Sequence, residues 1–109
     1  MENDSQLDAV FYALADSRRR VLLTELAAGP KTVSQLAVLL DMNISAASKH
    51  ISLLEQAQLL LKIRRGRELH CHVNFDTWRH LASYIAMHAQ FWAGRLDELD
   101  AYLKESGAR

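Results

Sequence analysis

In 109 residues the chain has one cysteine, one proline and four glycines, and its formal charge is zero. Each scarcity excludes something. Cys71 alone cannot close an internal disulfide, and it leaves no Cys-x-x-Cys knuckle or redox pair within one chain. With its single proline in Ala-Ala-Gly-Pro-Lys-Thr, the chain has no proline-rich linker, low-complexity tract or repeat. Apolar runs are only a few residues long, so no segment is expected to cross a membrane. The opening residues are acidic rather than basic and apolar, so no secretion signal is expected and the protein should be cytoplasmic. A glycine-rich phosphate loop is missing, as is a nucleophile beside a base. Asp97, Glu98 and Asp100 cluster as a solvated helix face rather than as paired catalytic carboxylates, which argues against an enzyme.

What is present suits one globular domain over residues 1–109: half the residues are apolar and 24% are charged. The zero net charge hides a segregation. Residues 1–17 carry Glu2, Asp4, Asp8 and Asp16 without a base, whereas residues 43–67 carry Lys49, Lys62, Arg64, Arg65 and Arg67 against Glu55 alone. A segment of net +4 is where an anionic partner would dock.

Apolar periodicity organises the rest. Leu7, Val10, Phe11 and Leu14 fall at i, i+3, i+4 and i+7, which predicts a one-faced helix entered through Asp4 or Ser5. Asp16 is placed to cap a second helix with Leu22, Leu23 and Leu26 inward, ended by Gly29-Pro30. Thr32 with Gln35 matches a capping box for a short third helix, packed through Val33, Leu36 and Leu40. Asn43 is a good cap for a fourth, in which Ala47, Ile51 and Leu54 share one face while Ser45, Ser48, Lys49 and Ser52 share another. Two helices joined by a short turn, the second with a small, polar, basic face, form a helix-turn-helix.

Residues 59–73 alternate as a β-hairpin around Gly66. Pairing Ile63 with Leu69, Leu61 with Cys71 and Leu59 with Val73 gathers the apolar side chains on one face and sets Arg64 against Glu68. That register predicts an odd-length loop centred on Gly66, with a positive φ there. It also turns His70 and His72 outward with Lys62 and Arg64, so that Cys71 cannot join the histidines on a metal. From about Asp76 to Glu105 the chain predicts one long helix, with Ile85, His88, Trp92, Leu96, Leu99 and Leu103 as its seam. The first and last helices carry more apolar stripe than the domain can bury. A homodimer through Leu7, Val10, Phe11 and that seam follows.

The predicted fold class is therefore mostly α with a β-hairpin, in winged helix-turn-helix order: four helices, a hairpin and a terminal helix. At this point the chain resembles the ArsR/SmtB family of small bacterial transcriptional repressors. The segments that carry the resemblance are FYALADSRRRVLLTELAAG, TVSQLAVLLDMNISAASKHISLLEQAQLL and RRGRELHCHV. Ser17 and Arg18 depart from the family's usual proline and threonine, Ile44 replaces a polar residue, and Gln58 stands where a glycine is usual. The resemblance implies a homodimer on an inverted-repeat DNA operator, occluding a promoter.

Phosphate contacts would come from Thr32, Asn43, Lys49, Arg65 and Arg67, with Lys62 and Arg64 on the same hairpin. Base contacts would come from Ile44, Ser45, Ala46, Ser48 and Lys49. The family's Cys-x-Cys metal pair maps onto Thr32 and Ser34, and its terminal-helix site onto Asp76, Trp78, His80, His88 and Phe91, so neither ligand set is expected to hold a metal. No cofactor is implied, and the inducer stays open between a metal elsewhere, an oxidant acting on Cys71, a small molecule and none. Arg19 is expected to pair with Asp16 or Glu25, and His50 to pack with one hydrogen bond. The alternative function is a partner-binding or dimerisation module of the same fold that leaves DNA alone.

Overall fold

A computed structural model describes residues 4–107. The elements run α1 (Asp4–Leu14), α2 (Ser17–Ala27), β1 (Lys31–Thr32), α3 (Val33–Leu39), α4 (Ile44–Gln56), β2 (Leu60–Arg65), β3 (Glu68–Val73) and α5 (Phe75–Glu105). The helices start where short side chains supply acceptors for free backbone N–H groups. Asp16 accepts from the Arg18 and Arg19 amides at 2.8 and 3.4 Å. At α3 the capping box is complete, with Gln35 N donating to the Thr32 hydroxyl at 3.2 Å and Thr32 N donating to Gln35 Oε1 at 2.9 Å. Asn43 Oδ1 accepts from Ala46 N at 2.8 Å.

Packing divides the chain into two units, one ending at Trp78 and one beginning at Arg79. In the first, Val10 and Ala13 of α1, Leu22 and Leu26 of α2, Leu36 of α3, and Ala47, Ile51 and Leu54 of α4 close on Leu59, Leu60 and Cys71. Val10 is completely buried in this core. Its assignment to a dimer surface is therefore corrected: on α1 the outward apolar side chains are Phe11 and Tyr12, with Leu7 half-buried.

The sheet holds two differences from the sequence expectation. First, it has three strands in the order β1-β3-β2, because Lys31 and Thr32 pair with Cys71 and His70. Second, the hairpin register is displaced by one residue. Leu60 faces Val73, Leu61 faces His72, Lys62 faces Cys71, Ile63 faces His70, Arg64 faces Leu69 and Arg65 faces Glu68. The loop is the two-residue Gly66-Arg67 rather than an odd-length one. Gly66 has φ 63° as expected, and Arg67 is not among the positive-φ residues, the sign pattern of a type II′ turn.

Opposed residues share a face, so the inward side carries Leu60, Lys62, Arg64, Leu69, Cys71 and Val73. Leu61 and Ile63 lie on the other face with His70 and His72, and both are exposed. The predicted grouping of Lys62 and Arg64 with the histidines is thus corrected. Burying Leu59 and Leu60 together is what moves the register: the apolar run meets the core one residue earlier than strict alternation suggests.

The second unit is the continuation of α5, a helix of 31 residues and about 46 Å at 1.5 Å per residue. Ile85, Met87, Phe91, Trp92, Leu96, Leu99 and Tyr102 are all exposed along it, while His88 and Leu103 are half-buried. Phe91 and Trp92 meet edge to face at 5.3 Å, and Arg95 stacks on Phe91 at 4.9 Å. Among the described residues no helix is long and apolar enough to cross a membrane.

Candidate nucleic-acid interface

The turn between α3 and α4 is tight. Met42 N donates to Ala37 O at 3.0 Å and Asp41 takes a left-handed φ of 53°, a conformation that aspartate tolerates better than most side chains. The chain then enters α4 at the Asn43 cap. Since Ala47, Ile51 and Leu54 hold α4 to the core, its opposite side faces solvent. Ile44, Ser45 and Lys49 are exposed there, and Ala46, Ser48 and Ser52 half-buried. Ser45, Ser48, Lys49, Ser52, Leu53 and Gln56 line an open groove of about 530 Å³. The polar face is therefore continuous for three helical turns. Gln56 was absent from the expected set, although its spacing of four from Ser52 was a legible signal.

The hairpin arginines are divided by the sheet. Arg64 and Arg67 join Thr32, Val33, Ser34, Glu68 and Leu69 around a cavity of about 230 Å³ at the start of α3. Arg65 lies on the opposite sheet face, across from Glu68. Lys62 is half-buried and its Nζ lies 3.2 Å from Glu55 Oε1, which joins β2 to the last turn of α4. Ser34 and Val33 belong with the arginines only through the fold, because 30 or more residues separate them in sequence.

Behind α4, Arg19 is buried. Its Nε donates to Ala13 O at 2.7 Å and its Nη2 to Tyr12 O at 3.3 Å, while Nη1 lies 3.2 Å from His50 Nδ1 and 3.7 Å from Asp16 Oδ2. The expected Asp16 pairing is present, and His50 is the partner that sequence reasoning missed. Burial works to raise the Asp16 carboxyl. The Arg18 and Arg19 amides and the Arg19 guanidinium outweigh it and hold the group below the ordinary aspartate value.

The Cys71 thiol is fully buried. Burial pushes it above the usual thiol range, a rise that Lys62 opposes and Glu55 adds to. His70 Nε2 lies 3.7 Å from Glu68 Oε1, and His72 Nε2 is buried without a hydrogen-bond partner. Among the described residues no group of three or more His, Cys, Asp or Glu side chains converges as a metal site.

A helix-turn-helix domain family matches residues 14–63, which contain α2, α3, α4 and the start of the wing. The uncharacterised HTH-type transcriptional regulator YuzN of Bacillus subtilis is 40% identical over 67 residues, 55% of this chain and 73% of that protein. Among solved structures, an ArsR family transcriptional regulator is 34% identical with a TM-score of 0.73, covering 81% of this chain and 97% of the other. An ArsR-like regulator from Rhodococcus sp. RHA1 superposes with a TM-score of 0.77 at 28% identity, over 87% and 90% of the two chains. The homodimeric winged helix-turn-helix DNA-binding domain of a possible ArsR-family regulator from Mycobacterium bovis has a TM-score of 0.66 at 27% identity, over 81% and 82%. This fold and family are those of transcriptional regulators rather than enzymes. With an exposed polar recognition helix flanked by an arginine-bearing wing, the chain belongs to the ArsR family of DNA-binding winged helix-turn-helix transcriptional regulators.

Proposed function

We propose that this protein is a homodimeric repressor that binds an inverted-repeat operator and occludes a promoter. The observation that carries the reading is the open Ser45–Gln56 groove on α4, with Arg64 and Arg67 close to the start of α3. Serine hydroxyls and Lys49 suit base edges in the major groove, with Ile44 or Ala46 touching a thymine methyl. Phosphates would be held by Asn43, Thr32 and the wing arginines, which give affinity without sequence choice. Lys62, already paired with Glu55, contributes field rather than a direct contact.

The exposed apolar side chains of α5 are more than a solvated helix normally presents, which supports a dimer through that helix. The homodimeric Mycobacterium bovis relative supports the same assembly. A two-fold dimer would set two recognition helices about 34 Å apart, one turn of DNA. A protein acting on such an operator works in the cytoplasm.

The test is a gel shift with the DNA upstream of the protein's own gene, at stated salt. A retarded band at micromolar dimer in low salt, competed weakly by random duplex, is expected. No shift under those conditions would favour a partner-binding module without DNA.

A further inference from the structure

Arg19 is the one charged side chain in the buried core of the first unit among the described residues, with 9% of its side chain accessible. It reaches the carbonyls of Tyr12 and Ala13 at the end of α1, the cap Asp16, and His50 on α4, and its guanidinium carbon lies 5.7 Å from the centre of the Tyr12 ring. A guanidinium only donates hydrogen bonds. The His50 nitrogen that faces it must therefore accept, which requires a neutral imidazole with its proton on Nε2. His50 follows Lys49 directly and lies within the span of the groove residues Ser45, Ser48 and Ser52. The bond thus runs from the α1–α2 corner to the helix that carries the DNA-facing side chains.

We propose that Arg19 is a positioning residue that sets the rotation of α4 through neutral His50, so that a proton on His50 releases the recognition helix and reduces sequence discrimination. The proposal rests on the DNA-binding reading above. The charges that meet the imidazole are Arg19 of α2 and the Asp16 carboxylate that caps α2. Lys49 adjoins it on α4, and α3 has no titratable side chain. On α1 the described titratable groups are Asp8 and Tyr12, and on β2 Lys62 is drawn to Glu55 while Arg64 lines the wing cavity. Protonation replaces an N–H···N bond with two adjacent cations, a repulsion that Asp16 offsets only in part because its Oδ1 is already held by two backbone amides.

The experiment selects a duplex from a random-sequence library at about pH 8, then measures its affinity relative to a random duplex at about pH 8 and about pH 5.5. His50→Asn is the comparison, because the amide oxygen sits near the place of Nδ1, accepts from Arg19 and does not titrate. The wild-type ratio of selected to random affinity should fall about tenfold on acidification, while the His50→Asn ratio stays within about twofold. A general change in DNA affinity with acidity acts on both duplexes alike and cancels in the ratio. Circular dichroism at both pH values shows that each protein remains folded. A flat wild-type ratio, or an equal fall in His50→Asn, overturns the positioning role and leaves DNA binding standing. Failure to select any duplex at pH 8 overturns the DNA reading itself.

Discussion

Lys62 Nζ lies 3.2 Å from Glu55 Oε1, so the first strand of the wing is tied to the last turn of the recognition helix. The same lysine sits across from buried Cys71 on the inward face of the hairpin. Its stem covers that face while the ammonium escapes toward Glu55, the usual compromise for a long cationic side chain. A double-mutant cycle with Lys62→Ala and Glu55→Ala is expected to show coupling of about 0.5 kcal/mol, because Glu55 is partly exposed. Urea melts of the four proteins measure it, and additive losses would mean that the pair is open in solution.

If the wing arginines hold phosphates, they act on any DNA sequence alike. Arg65→Ala with Arg67→Ala is expected to weaken specific and random duplexes alike and, with two arginines lost from each protomer of a bound dimer, to reduce the salt slope by about four. Because Arg64 and Arg67 share a cavity and Arg65 does not, Arg64→Ala and Arg67→Ala should be non-additive, whereas Arg65→Ala adds. An unchanged slope in the Arg65/Arg67 double variant removes the wing from binding. Lys49→Ala should instead alter sequence preference, and equal losses on both duplexes would argue against base contact.

Trp92 and Leu96 are both more than half exposed on α5. If α5 is the dimer seam, charge placed there leaves an ion buried without a partner. Trp92→Glu with Leu96→Glu should give a monomer by sedimentation velocity, with the far-ultraviolet helix signal largely kept. A dimer that persists in this variant would place the interface elsewhere.

Gln58 ends the turn after α4 with φ 63°, where a side chain costs about 1 kcal/mol and glycine does not. Gln58→Gly also loses an exposed 2.8 Å bond from Gln6 and adds freedom to the unfolded chain. The net expectation is a gain of about 0.5 kcal/mol, and a β-branched Gln58→Val loses more than 1 kcal/mol by roughly the same reasoning. Thermal melts that rank valine at or above glycine would show that this backbone conformation is not strained.

Asp16 links pH to stability. Its folded carboxyl titrates below its unfolded value, so the charged form contributes stability at neutral pH. That contribution is fully present above the unfolded aspartate value, about pH 4, and is lost as pH falls through the lower folded value. Asp16→Asn keeps the cap, so at pH 7 it should cost less than Asp16→Ala, which loses about 1 kcal/mol. Below about pH 4 the asparagine variant should lose stability less steeply than wild type. Parallel acid denaturation curves for the two would exclude a role for this charge.

Sequence by itself determined the features whose partners lie within about four residues. The Asp16, Thr32–Gln35 and Asn43 caps, the stop at Gly29, the positive φ of Gly66 and the opposed faces of α4 are local consequences of side-chain chemistry and periodicity. Tertiary structure decided what depends on distant partners. Three consecutive leucines, Leu59 to Leu61, allow two hairpin registers, and alternation alone favours the one that hides Leu61 and Ile63. The fold takes the other, because the core accepts Leu59 and Leu60 together and Glu55 receives the lysine that this brings inward. Val10 shows no local sign of whether it faces the core or a second subunit. The two-residue strand Lys31–Thr32 exists only by pairing with β3, and the Arg19–His50 bond spans 31 positions. Periodicity says which side chains must leave water, but the surface that covers them is chosen by the packed chain.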